Sequence, residues 1–189
     1  PAGRGRRGRV WHDPDGEGVA ITLAMLSIDA VAAAVAVAEA AEHWVEHAGI
    51  AWPNDIVVHG RKLAGILIEQ RGGLFLTGVG MNVLQRSWPP HLENRAISLA
   101  QVGVSVEPWV VGAQITRRLL AVPDRAEREV SAAWSRRDVL SGTLQQLQVG
   151  GEVVEGRIEA IDPRMGLQVR TDLGMRFLPL ETTTIVHGS

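Results

Sequence analysis

Ile56-Val57-Val58-His59-Gly60-Arg61-Lys62-Leu63-Ala64-Gly65-Ile66-Leu67-Ile68-Glu69 holds two aliphatic, β-branched runs broken at a glycine. Runs of this length bounded by turn residues read as strands, here residues 56–59 and 63–69, and 74–79 follows after Arg71-Gly72-Gly73. Consecutive strands joined by short turns form an antiparallel meander. The fold class follows from it: α+β, a mixed or antiparallel sheet packed with helices.

Upstream, residues 19–23 alternate in polarity and are expected to form another strand. From Asp29, a candidate N-cap with Ile28 as a staple before it, an Ala-rich helix is expected to run to His47 and stop at Gly49 as its C-terminal cap. Downstream, residues 108–122 have helical apolar spacing that Pro123 ends. Asp124 with Glu127 resembles a capping box, predicting a further helix to about Arg137. After Gly142 the pattern changes to short alternating segments, 153–161, 167–171, 175–178 and 183–186, separated by turn residues. This predicts a small appended β-barrel, with the boundary between Leu140 and Val149 and domains 1–143 and 144–189.

At 189 residues and 46% hydrophobic content the chain can bury a sizeable core. The formal charge of −2 gives no whole-molecule attraction for nucleic acid or an anionic membrane. Cysteine is absent, which excludes disulfides, thiolate catalysis and zinc–sulfur sites and fits a reducing, cytoplasmic setting. The apolar stretch 19–45 is interrupted by Asp29, Glu39 and Glu42, so neither a membrane span nor a signal peptide is expected.

Of the 19 Lys and Arg residues, Lys62 is the only lysine. A chain that otherwise uses Arg for positive charge keeps a compact ammonium beside an apolar strand, which marks Lys62 as a catalytic candidate. Just before it stands Trp52-Pro53-Asn54-Asp55. Pro53 holds Trp52 extended, and the following strand would hold the Asp55 carboxylate rigidly at the bend, where it could orient or deprotonate an amine. The bland alternative for Asp55 is an Asx turn. Lys62 would stabilise charge developing on a phosphoryl or carboxyl group in a closed site.

Gly3-Arg4-Gly5-Arg6-Arg7-Gly8-Arg9 puts four guanidinium groups on a flexible backbone suited to a phosphorylated ligand. Such runs are also common in solvated tails and RNA-binding segments, but Val10-Trp11-His12-Asp13-Pro14 leads directly into a core strand. Gly65, Gly78 and Gly80 would let a flat ligand approach the sheet, and Asn82 follows them. Of the six histidines only His43 and His47 have a helical four-residue spacing, and they read as helix-surface residues, so no metal site is expected.

In this order, Gly3-Arg4-Gly5-Arg6-Arg7-Gly8, Trp52-Pro53-Asn54-Asp55, Lys62-Leu63-Ala64-Gly65-Ile66-Leu67 and Gly78-Val79-Gly80-Met81-Asn82-Val83 resemble the motifs of biotin protein ligases. The resemblance runs through Trp134 into the C-terminal segment, which is similar to the family's SH3-like domain. It implies an enzyme that forms biotinoyl-AMP from biotin and ATP, with Mg2+, and transfers biotin to a lysine of a carboxylase's biotin carrier domain. Arg4, Gly5, Arg6, Lys62 and Gly65 would then bind biotin, and Arg6, Arg7, Arg9, Trp11 and Asn82 the nucleotide. Lys62, Arg6 and Asp55 would be catalytic, Arg6 on the phosphate and Asp55 receiving the acceptor amine.

The family's Ser/Thr-Thr-Asn segment and a Gln ahead of the loop would lie before Pro1, implying a catalytic domain without its N-terminal part. Ala51 stands where the family usually has Lys. The repressor-type helix-turn-helix domain of some members is not in the sequence, so DNA binding is not expected, and a homodimer stays open. Competing readings are a lipoate or octanoate transferase, disfavoured by the Arg/Gly loop, a silent binding or assembly module, and an RNA binder.

Overall fold

The structure, a computed structural model, describes residues 5, 11–13 and 16–186. The chain divides into two compact units, Pro1–Arg137 and Asp138–Ser189.

In the first unit five strands, β1 Val19–Met25, β2 Gly49–Ala51, β3 Asp55–Val58, β4 Arg61–Arg71 and β5 Leu74–Met81, form one sheet in the order β1-β5-β4-β3-β2. All its ladders are antiparallel. The expected meander is β3-β4-β5, and β1 comes back to cover its free edge. Alternation sorts the side chains: Ile56, Val58, Ile66, Val79 and Met81 are buried on one face. Helices α1 Ala30–Ala41, α2 Pro108–Leu120 and α3 Glu127–Ser135 complete that core, with Gly112 of α2 placed against Val19 and Ile21. The α1 residues Val31 to Ala38 are all buried, since alanine lets neighbouring elements close on a helix from several sides.

Asp29 caps α1 as expected, its carboxylate accepting from the amides of Val31 and Ala32 at 2.7 and 3.1 Å. The helix nevertheless ends at Ala41, not near His47, and Gly49 opens β2 instead of capping the helix. Arg137 accounts for the early stop. Its guanidinium holds Glu42 at 3.0 and 2.5 Å and its carbonyl accepts the Ile50 amide, drawing 42–50 out of helical geometry. His43 and His47 therefore lie beyond the helix, and His43 packs edge-on against Trp44. The capping box expected at Asp124 also does not form: Asp124 lies in a 3-10 turn and α3 starts at Glu127 after Ala126. Here Arg125 is extended, its guanidinium forked onto Glu39 of α1 at 3.0 and 3.0 Å.

The second unit is a five-stranded antiparallel sheet of β6 Leu144–Val149, β7 Glu152–Asp162, β8 Gly166–Thr171, β9 Gly174–Pro179 and β10 Thr183–Val186. Its order is β10-β6-β7-β8-β9, and among the described residues the two end strands are not paired with each other. Leu147, Val154, Ile158, Leu167, Val169, Leu178 and Ile185 are buried apolar side chains of its strands. Strand β6 is not announced by the sequence, because Leu147 is its one fully buried position and glutamines fill much of the rest. No helix among the described residues is long and apolar enough to cross a membrane.

Candidate active site

Opposite the helices, the first sheet presents a face of small residues. Asp55 pairs with Gly65, Gly65 with Gly80, and Gly80 with Ala20, so one row across β3, β4, β5 and β1 carries a carboxylate followed by almost no side chain. This is a flat floor with an acid at one end.

Lys62 lies three residues before Gly65, and strict alternation would send its side chain to the other face. A bulge corrects this. Ile56 pairs with Ala64 but Val57 with Lys62, leaving Leu63 as an extra residue, so Lys62 returns to the face of Gly65. The β5 ladder ends at Ala64–Met81, and at Lys62 the segment around Ala96 takes over as a parallel bridge that pairs the Lys62 backbone groups. The Lys62 amide donates to the Arg95 carbonyl at 2.8 Å, and the Lys62 carbonyl accepts from Ile97 at 3.0 Å.

The Lys62 ammonium crosses Gly65, with Cε and Nζ each 3.0 Å from where a β-carbon would stand, and reaches Asp55 Oδ1 at 2.7 Å. The two form a close ion pair, not aligned as a hydrogen bond. Lys62 and Asp55 side chains keep 37% and 22% of their exposure, so a ligand can reach them. Asp55 itself is held by its neighbours: Trp52 is 2% exposed, the Trp52–Pro53 peptide is cis, and Asn54 exchanges two hydrogen bonds with Ile66, at 2.7 and 3.0 Å.

Trp11 covers the floor. Its indole lies 2.7–2.9 Å from the position of a Gly80 β-carbon, so only glycine fits beneath it there, and it is in ordinary contact, 3.5 Å, with the position of a Gly65 β-carbon. Lys62 Nζ is 5.9 Å from the ring centroid, the outer range of a cation–π contact. The Trp11 Nε1 is buried without a hydrogen-bond partner among the described residues.

Asn82 is 4% exposed and its amide donates to the carbonyls of Lys62 and Ile97 at 3.2 and 2.9 Å. It thus fixes the Lys62 backbone. Of the expected site residues, Lys62, Asp55, Gly65, Trp11 and Asn82 come together. Arg4, Arg6, Arg7 and Arg9 lie outside the described residues, and Gly5 is partly exposed without regular structure. Among the described residues no three His, Cys, Asp or Glu side chains converge as metal ligands. Sequence reasoning missed Asp13 and Gln85, whose side chains meet at 3.2 Å beside this site, because no motif spacing links residues 72 apart.

Residues 1–85 match the model of the biotin/lipoate A/B protein ligase family. Over 90% of this chain and 59% of its own length, the bifunctional ligase/repressor BirA of Escherichia coli is 27% identical. The chain thus spans about three-fifths of that relative. The biotin–[acetyl-CoA-carboxylase] ligase of Mycobacterium tuberculosis is 28% identical over 98% of this chain and 75% of its own length. The fold is similar to that of the biotin protein ligase from Aquifex aeolicus in complex with biotin and ATP, with a TM-score of 0.81 at 22% identity. That likeness covers 98% of this chain and 85% of the Aquifex chain.

Proposed function

We propose that the chain is a biotin–carboxylase ligase: it forms biotinoyl-AMP from biotin and ATP and transfers the biotinoyl group to a lysine of a carboxylase's biotin carrier domain, in the cytoplasm. The observation that carries this reading is the Lys62–Asp55 pair at 2.7 Å over a glycine floor roofed by Trp11. The family match and the names of the relatives support it.

In the first step a biotin carboxylate oxygen attacks the α-phosphorus of ATP, and the bond to the β,γ-pyrophosphate breaks. Negative charge builds on the α-phosphoryl oxygens, and the Lys62 ammonium stabilises it as a point charge fixed by the bulge. Arg6 takes the phosphate and Arg4, Gly5 and Gly65 line the biotin side. Arg7, Arg9 and Trp11 serve the nucleotide, and Asn82 acts by holding Lys62 in place. Mg2+ enters with ATP as part of the substrate and neutralises the departing pyrophosphate.

In the second step the carrier lysine's neutral amine attacks the anhydride carbonyl, the C–O bond to AMP breaks, and an amide forms. Asp55 accepts the proton the amine loses. An intermediate held against Trp11 and the Lys62–Asp55 pair is shielded from water, which protects a hydrolysable anhydride.

The test is incubation of the chain with biotin, α-labelled ATP and Mg2+, with and without a biotin carrier domain. Labelled biotinoyl-AMP without the carrier, and carrier biotinylation with it, are expected. Absence of both, or transfer of lipoate in preference to biotin, would overturn the reading.

A further inference from the structure

Asp13 sits two residues beyond Trp11 and is tied to the sheet at two points. Its Oδ1 accepts from the Gly18 amide at 3.0 Å and from Gln85 Nε2 at 3.2 Å. Gln85 is 3% exposed and has no freedom of its own: its Oε1 accepts the Val83 amide at 2.7 Å and its carbonyl accepts the Ser98 hydroxyl at 2.5 Å. Gly18 makes room for the arrangement, since a β-carbon there would lie 2.9 Å from Gln85 Nε2 and from the Met81 carbonyl. Val83 adjoins Asn82, which holds the Lys62 carbonyl.

We propose that Asp13 is a positioning residue: latched to Gln85, it fixes Trp11 on the Gly65–Gly80 floor and so governs how firmly an intermediate is held against Trp11. A local Asx turn would need only the bond to Gly18. The bond to Gln85 joins the Trp11 segment to the chain that carries Gly80 and Asn82, so roof and floor share one anchor. A carboxylate suits the position because one oxygen receives two donors, a charge-assisted arrangement stronger than a neutral one.

The consequence for adenylate retention rests on the ligase reading, but the latch can be tested apart from it. The Gly80 α-protons lie beneath the indole and carry its ring-current shift, read by NMR on the isotopically labelled full chain. Trp11→Ala gives the unshifted reference. Asp13→Ala is expected to move Gly80 most of the way to that reference, while Asp13→Asn, which keeps an acceptor oxygen, retains the shift. Gln85→Glu sets carboxylate against carboxylate and is expected to lose the shift at neutral pH and regain it on acidification. It serves as the second reading should Asp13→Ala fold poorly.

An unmoved Gly80 in Asp13→Ala or in Gln85→Glu at neutral pH would overturn the latch, whatever the activity. In the working enzyme Asp13→Ala should release biotinoyl-AMP faster by about tenfold, with Asp13→Asn restoring retention. Equal release rates in wild type and Asp13→Ala would overturn the functional half. A wild-type chain that forms no adenylate while Gly80 shifts as expected would sink the ligase reading and leave the latch standing.

Discussion

Lys62 Nζ stands 2.7 Å from Asp55 Oδ1 because a single extra residue, Leu63, turns the lysine onto the carboxylate's face of the sheet. The ammonium and the carboxylate have separate tasks in the proposed reaction, so they should separate experimentally. Asp55→Ala is expected to lower transfer to the carrier by about 10²-fold, the scale of a lost general base, while biotinoyl-AMP still forms without carrier. Single-turnover assays of the two steps check this. Equal losses in both steps would refute the division of labour.

Gly80→Ala places a β-carbon 2.7 Å from the Trp11 ring, and Gly65→Ala places one 3.0 Å from the end of Lys62. Both should leave the chain folded. Because a ring cannot give way as a lysine terminus can, Gly80→Ala should raise KM for ATP and biotin more than Gly65→Ala does. Steady-state adenylation kinetics with circular dichroism of both variants tests the order.

Glu39 is forked by Arg125 at 3.0 and 3.0 Å, with Arg118 at 3.5 Å, in a depression on the helical side. Arg125→Ala leaves a carboxylate that is 18% exposed with the longer Arg118 contact in place of a fork, and is expected to cost about 1–3 kcal/mol. Arg118, at 42% exposure, should matter much less. Thermal unfolding should show Arg125→Ala several degrees below wild type with adenylation per folded molecule unchanged.

In the second unit, the hydrogen bond from Arg176 and then its charge hold the Glu152 carboxyl below the usual glutamate range. A depressed folded-state value means that the pair's contribution is present above the unfolded-state pKa and is lost as pH falls through the lower folded-state value. The exposure of both side chains and salt screening keep the effect small. An NMR titration of the Glu152 side-chain carboxyl should give a midpoint below that of Arg176→Ala. Coincident midpoints would show that the pair does not form in solution.

The meander, the helix 108–120 and the strands after Glu152 were legible because each follows from local periodicity and turn residues. The end of α1 was not, since Arg137, 95 residues away, captures Glu42. Arg125, drawn to Glu39, similarly removed the capping box expected at Asp124. In the site, the sequence identified Lys62 and Asp55 as a neighbourhood, but alternation alone puts Lys62 on the wrong face. The Leu63 bulge that corrects it has no signature in sequence. Asp13 and Gln85 were invisible for the same reason: one hydrogen bond between distant polar residues has no period.

The most direct measurement is the rate of biotinoyl-AMP formation by wild type, Lys62→Ala and Lys62→Arg. A compact ammonium stabilising developing phosphoryl charge predicts losses of about 10²–10³-fold in Lys62→Ala, with Lys62→Arg recovering little because its planar fork cannot occupy the space over Gly65. Formation of the adenylate at the wild-type rate by either variant would contradict the role given to Lys62.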